Sequence, residues 1–274
     1  MAGRADLHVH TTASDGIASP AEAVRRALGC GLVALGIADH DTTAGVAPAT
    51  LAAQGTGLEV IPGVEINTDH AGGGEVHILG YFYRLQDPHL EDQLSRLRGR
   101  RHARMETMVA RLQSLGLPVT RERVLAIAGS AAVGRPHVAR ALVESRYVRD
   151  EREAFDKYLA RGRPGYVERA RFSPLEAVAL IREAGGVPVL AHPGSHGQAL
   201  VAELMAEDLQ GIEVYHPDHD PGVIVELLRL AADHDLVVTG GSDFHAPGSA
   251  CGSAIGGVTV PGEVVAALRR RLPP

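Results

Sequence analysis

Five short segments close apolar stretches with histidine or carboxylate: DLHVH (6–10), ADHD (38–41), PGVE (62–65), AHPG (191–194) and SDFH (242–245). This pattern constrains the fold more than any other feature of the chain. Each segment reads as the end of a buried strand, and each carries a hard or borderline metal ligand. Strands that deliver such side chains to one rim are the construction of an α/β barrel or parallel sheet, whose sites collect at the carboxyl ends of the strands.

The intervening sequence supports alternating strands and helices. Ala5–Val9 predicts a strand, and Pro20–Leu28 a helix capped by Ser19 with proline in its first turn. The run Leu32–Ala38 is nearly all apolar, as expected of a parallel strand covered on both faces. A helix is expected over Thr43–Gln54 with Asp41 or Thr42 as its cap, then strands at Leu58–Pro62 and Glu75–Tyr83. After Tyr166 the alternation returns with helices at Pro174–Ala184, Gly197–Glu207, Pro221–Asp233 and Pro261–Arg271. Strands are expected between them at Val187–Ala191, Gly211–Tyr215 and Leu236–Thr239. Repeated β–α units predict a parallel sheet, open or closed into a barrel.

Residues 88–163 break the pattern and read as helices only. They also break the charge balance. This segment carries 16 Lys+Arg against 9 Asp+Glu, a net of +7, while the remainder carries 11 against 24, a net of −13. The expectation is an acidic metal-binding barrel over residues 1–87 and 164–274, with an inserted basic helical domain for substrate recognition over 88–163.

Composition excludes several classes. No apolar run approaches the roughly 20 residues of a membrane span, and DLHVH begins at residue 6, which leaves no room for a signal peptide. A cytoplasmic protein is expected. Cys30 and Cys251 lie outside any metal or redox motif and are read as small buried or half-buried hydrophobes.

The ligand inventory is large. His8 and His10 are two residues apart on a strand and point to one face. Asp15 follows in a polar loop, His40 and Glu65 end strands, His77 interrupts the apolar run VHILGYF, and His192 ends VPVLA. Asp243 and His245 form a second same-face pair. His8, His10, His40, Glu65, His192, Asp243 and His245 fall at expected carboxyl ends, and His77, within its strand, is the loosest fit. Imidazole and carboxylate without thiolate suit Mn, Fe or Zn. Nine ligands exceed the roughly three that one catalytic ion takes from protein. Two or three divalent ions are therefore expected, with a carboxylate such as Glu65 bridging, an arrangement suited to phosphoryl transfer to water.

The motifs DLHVHTTASDG, GIADHDT, PGVEI, EVHILGYF, VLAHPG and GSDFH resemble those of the PHP (polymerase and histidinol phosphatase) superfamily, in order and over the whole chain outside 88–163. The resemblance implies a distorted TIM-like (β/α)7 barrel with an inserted small helical domain and a trinuclear centre. It implies one ion on His8, His10, Glu65 and Asp243, a second on Glu65, His77 and His192, and a third on Asp15, His40 and His245.

Within the insertion, GRPHVARALVE places Arg135 and His137 at the start of a helix, where anions are favoured, and Arg offers phosphate a planar fork. The string resembles the insertion of PHP phosphatases acting on nucleoside 3′,5′-bisphosphates and short RNA 5′ ends, in which the Arg and His hold substrate phosphate. His216 follows the strand GIEVY and is a candidate contact to phosphate or general acid for the leaving oxygen. Asp39 and Asp41 read as groups that orient ligands or cap a helix, and His196 as a solvated loop residue. No role is assigned to His70, His89, His102, His219 or His234.

The expected activity is removal of the 3′-phosphate of a nucleoside 3′,5′-bisphosphate such as adenosine 3′,5′-bisphosphate, leaving a 5′-monophosphate such as AMP. Cleavage of short 5′-phosphorylated RNA from its 5′ end is the companion activity. The rivals are histidinol-phosphate phosphatase and a non-catalytic or editing PHP-type module attached to a polymerase. The sequence leaves the oligomeric state open.

Overall fold

The computed structural model describes residues 3–70, 74–129, 133–168, 172–246 and 254–273. Two compact units emerge, one of Met1–Leu94 with Arg171–Pro274 and one of Ser95–Ala170.

The first unit is a distorted TIM-like barrel. Its strands are β1 (Arg4–Val9), β2 (Leu32–Ile37), β3 (Glu59–Asp69), β4 (Glu75–Tyr81), β5 (Val187–Leu190), β6 (Gly211–Tyr215), β7 (Val237–Gly240) and β8 (Val260–Pro261). They form one sheet in the order β7-β6-β5-β4-β3-β2-β1-β8. Beyond β7 the chain returns to β1, where His10 N donates to Phe244 O at 3.0 Å and Ser242 N to Asp6 Oδ1 at 2.9 Å. A Cβ on Gly241 would stand 2.4 Å from His8 N, so glycine permits this seam to close.

Helices α1 (Pro20–Gly29), α2 (Val46–Ala53), α7 (Pro174–Glu183), α8 (Gly197–Leu204), α9 (Pro221–Asp233) and α10 (Glu263–Arg269) belong to this unit. Ser19 caps α1 by accepting from Glu22 N. Ser173 and Glu176 form a reciprocal capping box on α7. Helix α2 departs from expectation. It starts at Val46 with Gly45 as cap, because Asp41 has a left-handed backbone (φ 51°) and its carboxylate accepts from Asn67 N at 3.0 Å instead.

The parallel expectation fails for β4, which runs antiparallel to both β3 and β5, and for β8, antiparallel to β1. Chain length dictates the first reversal. Only residues 70–74 separate β3 from β4, whereas a parallel return needs a crossover of about a dozen residues or more. The strand β3 is also longer than expected and carries Glu65 in its middle, with Glu65 opposite Leu79 and Asn67 opposite His77.

The second unit is helical. It holds most of α3 (Pro88–Ser114), then α4 (Arg121–Ala128), α5 (Arg135–Glu144) and α6 (Glu151–Ala154), which runs into a π-helical turn over Phe155–Leu159. It has its own core, in which Met105, Leu112, Val124, Val138 and Leu142 are buried together. Among the described residues, no helix is long and apolar enough to cross a membrane. Cys30 is exposed, with its thiol on Ile255 O, not buried as expected; Cys251 lies outside the described residues.

Candidate metal centre

The barrel places one cluster of imidazoles and carboxylates at the carboxyl rim. His8 on β1 and His10 just beyond it are fully buried on one face, their Nε2 atoms 3.1 Å apart. Glu65 Oε2 lies 3.4 Å from His8 Nε2 and 3.3 Å from His10 Nε2. Asp243 Oδ1 lies 3.3 and 3.0 Å from the same two atoms. Four ligand atoms bound tetrahedrally at 2.0–2.2 Å stand about 3.4 Å from one another. These spacings fit that geometry.

Glu65 reaches the rest of the cluster with both oxygens. Its Oε2 is 2.9 Å from His40 Nδ1, and its Oε1 is 2.9 Å from His77 Nδ1 and 3.0 Å from His192 Nε2. His40 is set beside it by an isolated bridge in which Asp41 N donates to Glu65 O and Glu65 N to Asp39 O. His77 enters because β4 is antiparallel. Its amino-terminal half lies at the rim where the parallel strands end, so a residue within the strand reaches the site. Asp15 Oδ1 lies 3.5 Å from His10 Nδ1 and 3.4 Å from His245 Nε2, and Oδ2 lies 3.7 Å from His40 Nε2.

Among the described residues, three overlapping groups could each hold an ion: His8, His10, Glu65 and Asp243; His40, Glu65 and His77; and His10, Asp15, His40 and His245. The first has the membership that the family resemblance implied. His40 and His10 each belong to two groups, and His192 meets the same Glu65 oxygen as His77.

Two observations fit this cluster to bound cations. Buried Glu65 Oε2, Asp243 Oδ1, His10 Nδ1 and His77 Nε2 make no hydrogen bond, despite close polar neighbours. Lone pairs facing lone pairs in a buried site are costly unless a cation lies between them. The charges also depend on one another. Burial alone would pull the His10 imidazole down, but Asp243 and Glu65 push it up to about 10. His8 is likewise raised well above its ordinary value, with burial overcome by Glu213, Asp243 and Glu65. Burial would raise the carboxyl of Glu65, yet His40, His77 and His8 hold it well below the usual range, and imidazoles do the same for Asp15 and Asp243. Such imidazole protons stand where divalent cations would displace them.

Supporting groups fix the ligands. Glu213, fully buried on β6, holds His8 Nδ1 at 3.1 Å and accepts from His192 N at 3.0 Å. This turns His8 Nε2 toward the cluster. Asp39 accepts from Thr11 N, Thr11 Oγ1 and Ser14 Oγ, which fixes the loop carrying Asp15. His245 Nδ1 meets Asp243 O at 2.9 Å, leaving Nε2 for Asp15. His192 (φ 24°), Asp243 (φ 46°) and Asp41 (φ 51°) have positive φ, a concentration of backbone strain at a rim where ligands must be aimed.

Sequence reasoning missed Glu213, Asn67 and His219. Glu213 had a signal, a lone carboxylate inside the apolar strand GIEVY. Asn67 Nδ2 lies 2.9 Å from His40 Nδ1. His219, assigned no role, ties β6 to the segment after β5: its Nδ1 donates to Val214 O at 2.8 Å, and Gly194 N donates to its Nε2 at 3.2 Å. His216 is buried, accepts from Asp218 N at Nδ1 and points Nε2 at Asp243 Oδ2, 3.3 Å away.

In the helical unit, Arg135 opens α5, and its guanidinium lies over the Phe155 and Tyr166 rings at 5.7 and 5.8 Å. His137 closes the first turn, its Nδ1 accepting from Gly134 N at 3.1 Å.

The comparisons with known proteins agree with this chemistry. Residues 6–159 match the model of the PHP domain family. The chain is 38% identical over 253 residues to the 5′-3′ exoribonuclease Rnm of Escherichia coli, covering 88% of this chain and 85% of that protein. It is 36% identical over 250 residues to the 3′,5′-nucleoside bisphosphate phosphatase of Chromobacterium violaceum, covering 89% and 87%. Its fold matches the crystal structure of a candidate metal-dependent phosphoesterase from Bifidobacterium adolescentis, with a TM-score of 0.81, 34% identity and coverage of 98% and 96%.

Proposed function

The chain belongs to the PHP domain family and is a metal-dependent phosphoesterase, and on that premise we propose that it hydrolyses the 3′-phosphate of nucleoside 3′,5′-bisphosphates. Water enters and inorganic phosphate and a nucleoside 5′-monophosphate such as AMP leave. The observation that carries the metal chemistry is Glu65, buried with both oxygens among imidazole nitrogens and Oε2 without a hydrogen bond. The nucleotide class is supported by the relatives named above.

We assign the ligands as His8, His10, Asp15, His40, Glu65, His77, His192, Asp243 and His245, for two or three ions of Mn, Fe or Zn. Divalent ions held there would activate water near neutral pH and neutralise the charge on phosphate. The chain's own residues do the rest. Glu65 keeps neighbouring sites at fixed spacing. Glu213 and Asp39 hold His8 and the Asp15 loop in place, so no reorganisation is needed when phosphate arrives. His216 has its Nδ1 occupied by Asp218 N, so Nε2 is the one atom from which it can move a proton to the leaving oxygen. Arg135 and His137 are assigned to a substrate phosphate. Arg135 is supported by its place in the first turn of α5 and by the rings that steady its fork. A cytoplasmic location is consistent with the nucleotide reading and with the relatives.

A second reading shares the site: cleavage of short 5′-phosphorylated RNA from its 5′ end, favoured by the exoribonuclease relative. The test is phosphate release by protein purified without chelator. Adenosine 3′,5′-bisphosphate, a short 5′-phosphorylated RNA, histidinol phosphate and p-nitrophenyl phosphate are compared side by side, with metal content measured on the same sample. Preference for histidinol phosphate would overturn the nucleotide reading. Absence of metal together with no activity on added Mn2+ would reduce the chain to a binding module.

A further inference from the structure

A cleft of about 380 Å³ opens beside the metal centre within the barrel unit. Its inner edge is His77 and His192, which also meet Glu65. One wall is apolar, from Val76, Ala191, Pro193 and Leu200, and the polar groups on the others include His70 and His196. His70 Nε2 lies 2.8 Å from Glu203 Oε2 on α8, which fixes the ring at the mouth. His196 ends a single 3-10 turn that leads into α8. His196 is exposed, as expected of a solvated residue, and also lines this cleft, as does His70, for which no role was expected.

The chemistry of the lining is selective. The described lining combines imidazole rings with apolar side chains. A flat, neutral heterocycle is favoured, since it can lie on the apolar wall, face imidazole rings and exchange hydrogen bonds with ring nitrogens. The volume falls inside the range of about 300–1,000 Å³ usual for small-molecule sites. Because His77 and His192 belong to both the metal centre and the cleft, a molecule held by phosphate at the ions has the cleft within reach of its other end.

We propose that this cleft seats the heterocyclic base of the nucleotide whose phosphate is held by the metal centre, with His70 and His196 as the residues that set base preference. The assignment rests on the nucleotide reading above and adds to it the part of the chain that distinguishes a nucleotide from a bare sugar phosphate.

The test fills the cleft from its rim. Ala199 lines it from an exposed position on α8, so Ala199→Trp obstructs the space without disturbing a core residue, and Ala199→Ser is the control. In the metal-loaded enzyme, Ala199→Trp should raise KM for adenosine 3′,5′-bisphosphate about tenfold or more, corresponding to about 1.4 kcal/mol, and leave ribose 3,5-bisphosphate unaffected. Equal changes on both substrates would overturn the proposal. A readout independent of turnover is titration of adenosine, which has no phosphate, into zinc-loaded protein while the His70 and His196 ring signals are followed by NMR. Shifts that Ala199→Trp abolishes are expected, and signals that adenosine leaves unmoved would overturn the assignment. Failure of the unmodified enzyme to hydrolyse any bisphosphate would strike the activity reading alone if adenosine still moved those rings.

Discussion

Glu213 on β6 holds His8 on β1 through contacts of 3.1 and 3.2 Å from its two carboxylate oxygens to His8 Nδ1, across 205 positions of sequence. Both residues are fully buried. One Glu213 oxygen also accepts from His192 N, so a single carboxylate orients two assigned ligands, one on β1 and one just beyond β5.

Replacing Glu213 by Gln should therefore weaken metal binding while leaving every assigned ligand in place. The expected loss is about 10–100-fold in affinity, the range typical of groups that hold a ligating His. Chelator competition measures it, and KM for substrate at saturating metal should change little. Unchanged metal affinity would remove Glu213 from the centre.

Glu65→Gln removes one of the two anionic oxygens that the cluster shares. We expect a loss of about 10³-fold in kcat/KM, near 4 kcal/mol of transition-state stabilisation, together with a fall in bound metal per chain measured by elemental analysis. Full metal occupancy with normal turnover would show that Glu65 is no ligand.

Without metal, the stability of the protein should depend on pH in a direction set by the cluster. The His10 imidazole is pushed up from 6.5 to about 10, so its contribution is complete below pH 6.5 and is lost as pH rises toward 10. Asp243 and Glu65 are held low, so theirs is present above the ordinary carboxylate range and is lost as pH falls below it. Burial raises Asp6 to about 6, which disfavours the folded state as pH rises from about 4 to 6. Chelated protein should thus have its highest Tm on the acidic side of neutrality and decline toward pH 9. Metal-loaded protein should diverge from it upward over that interval, since protons no longer compete for the ligands. A Tm of chelated protein that climbs from pH 6.5 to 9 would contradict this.

Arg135→Ala tests the helical unit. The loss in kcat/KM should be about 10–100-fold on adenosine 3′,5′-bisphosphate, as for removal of a charged hydrogen bond of about 1.5–3 kcal/mol, and much smaller on p-nitrophenyl phosphate. Folding should change by no more than about 1 kcal/mol, because the contacts of this guanidinium with Phe155 and Tyr166 are those of a half-buried cation on rings. Equal losses on the two substrates would free Arg135 from the second phosphate.

The alternation of strands and helices was legible in the sequence because apolar runs and helix caps are local properties, whereas closure into a barrel followed only from the family resemblance. Ser19 caps α1 as expected, and α7 starts at the expected Pro174. The reversal of β4 was not legible, because the expected strand ended at Pro62 and left twelve residues before Glu75, enough for a parallel return, and periodicity alone does not carry strand direction. That is why His77 looked out of place. Asp41 was misjudged as a helix cap because its acceptor, Asn67 N, lies 26 positions away.

The amino-acid sequence by itself determined which atoms could bind metal, since donor chemistry belongs to residue type and a spacing of two places both imidazoles of DLHVH on one face. Only the tertiary structure decided their partners. Closure of the sheet brings β6 and β7 to β1, and strand register decides that Glu65 presents Oε2 to His8, His10 and His40 and Oε1 to His77 and His192. Those assignments depend on how strands stagger around a barrel, a long-range property that no local pattern encodes.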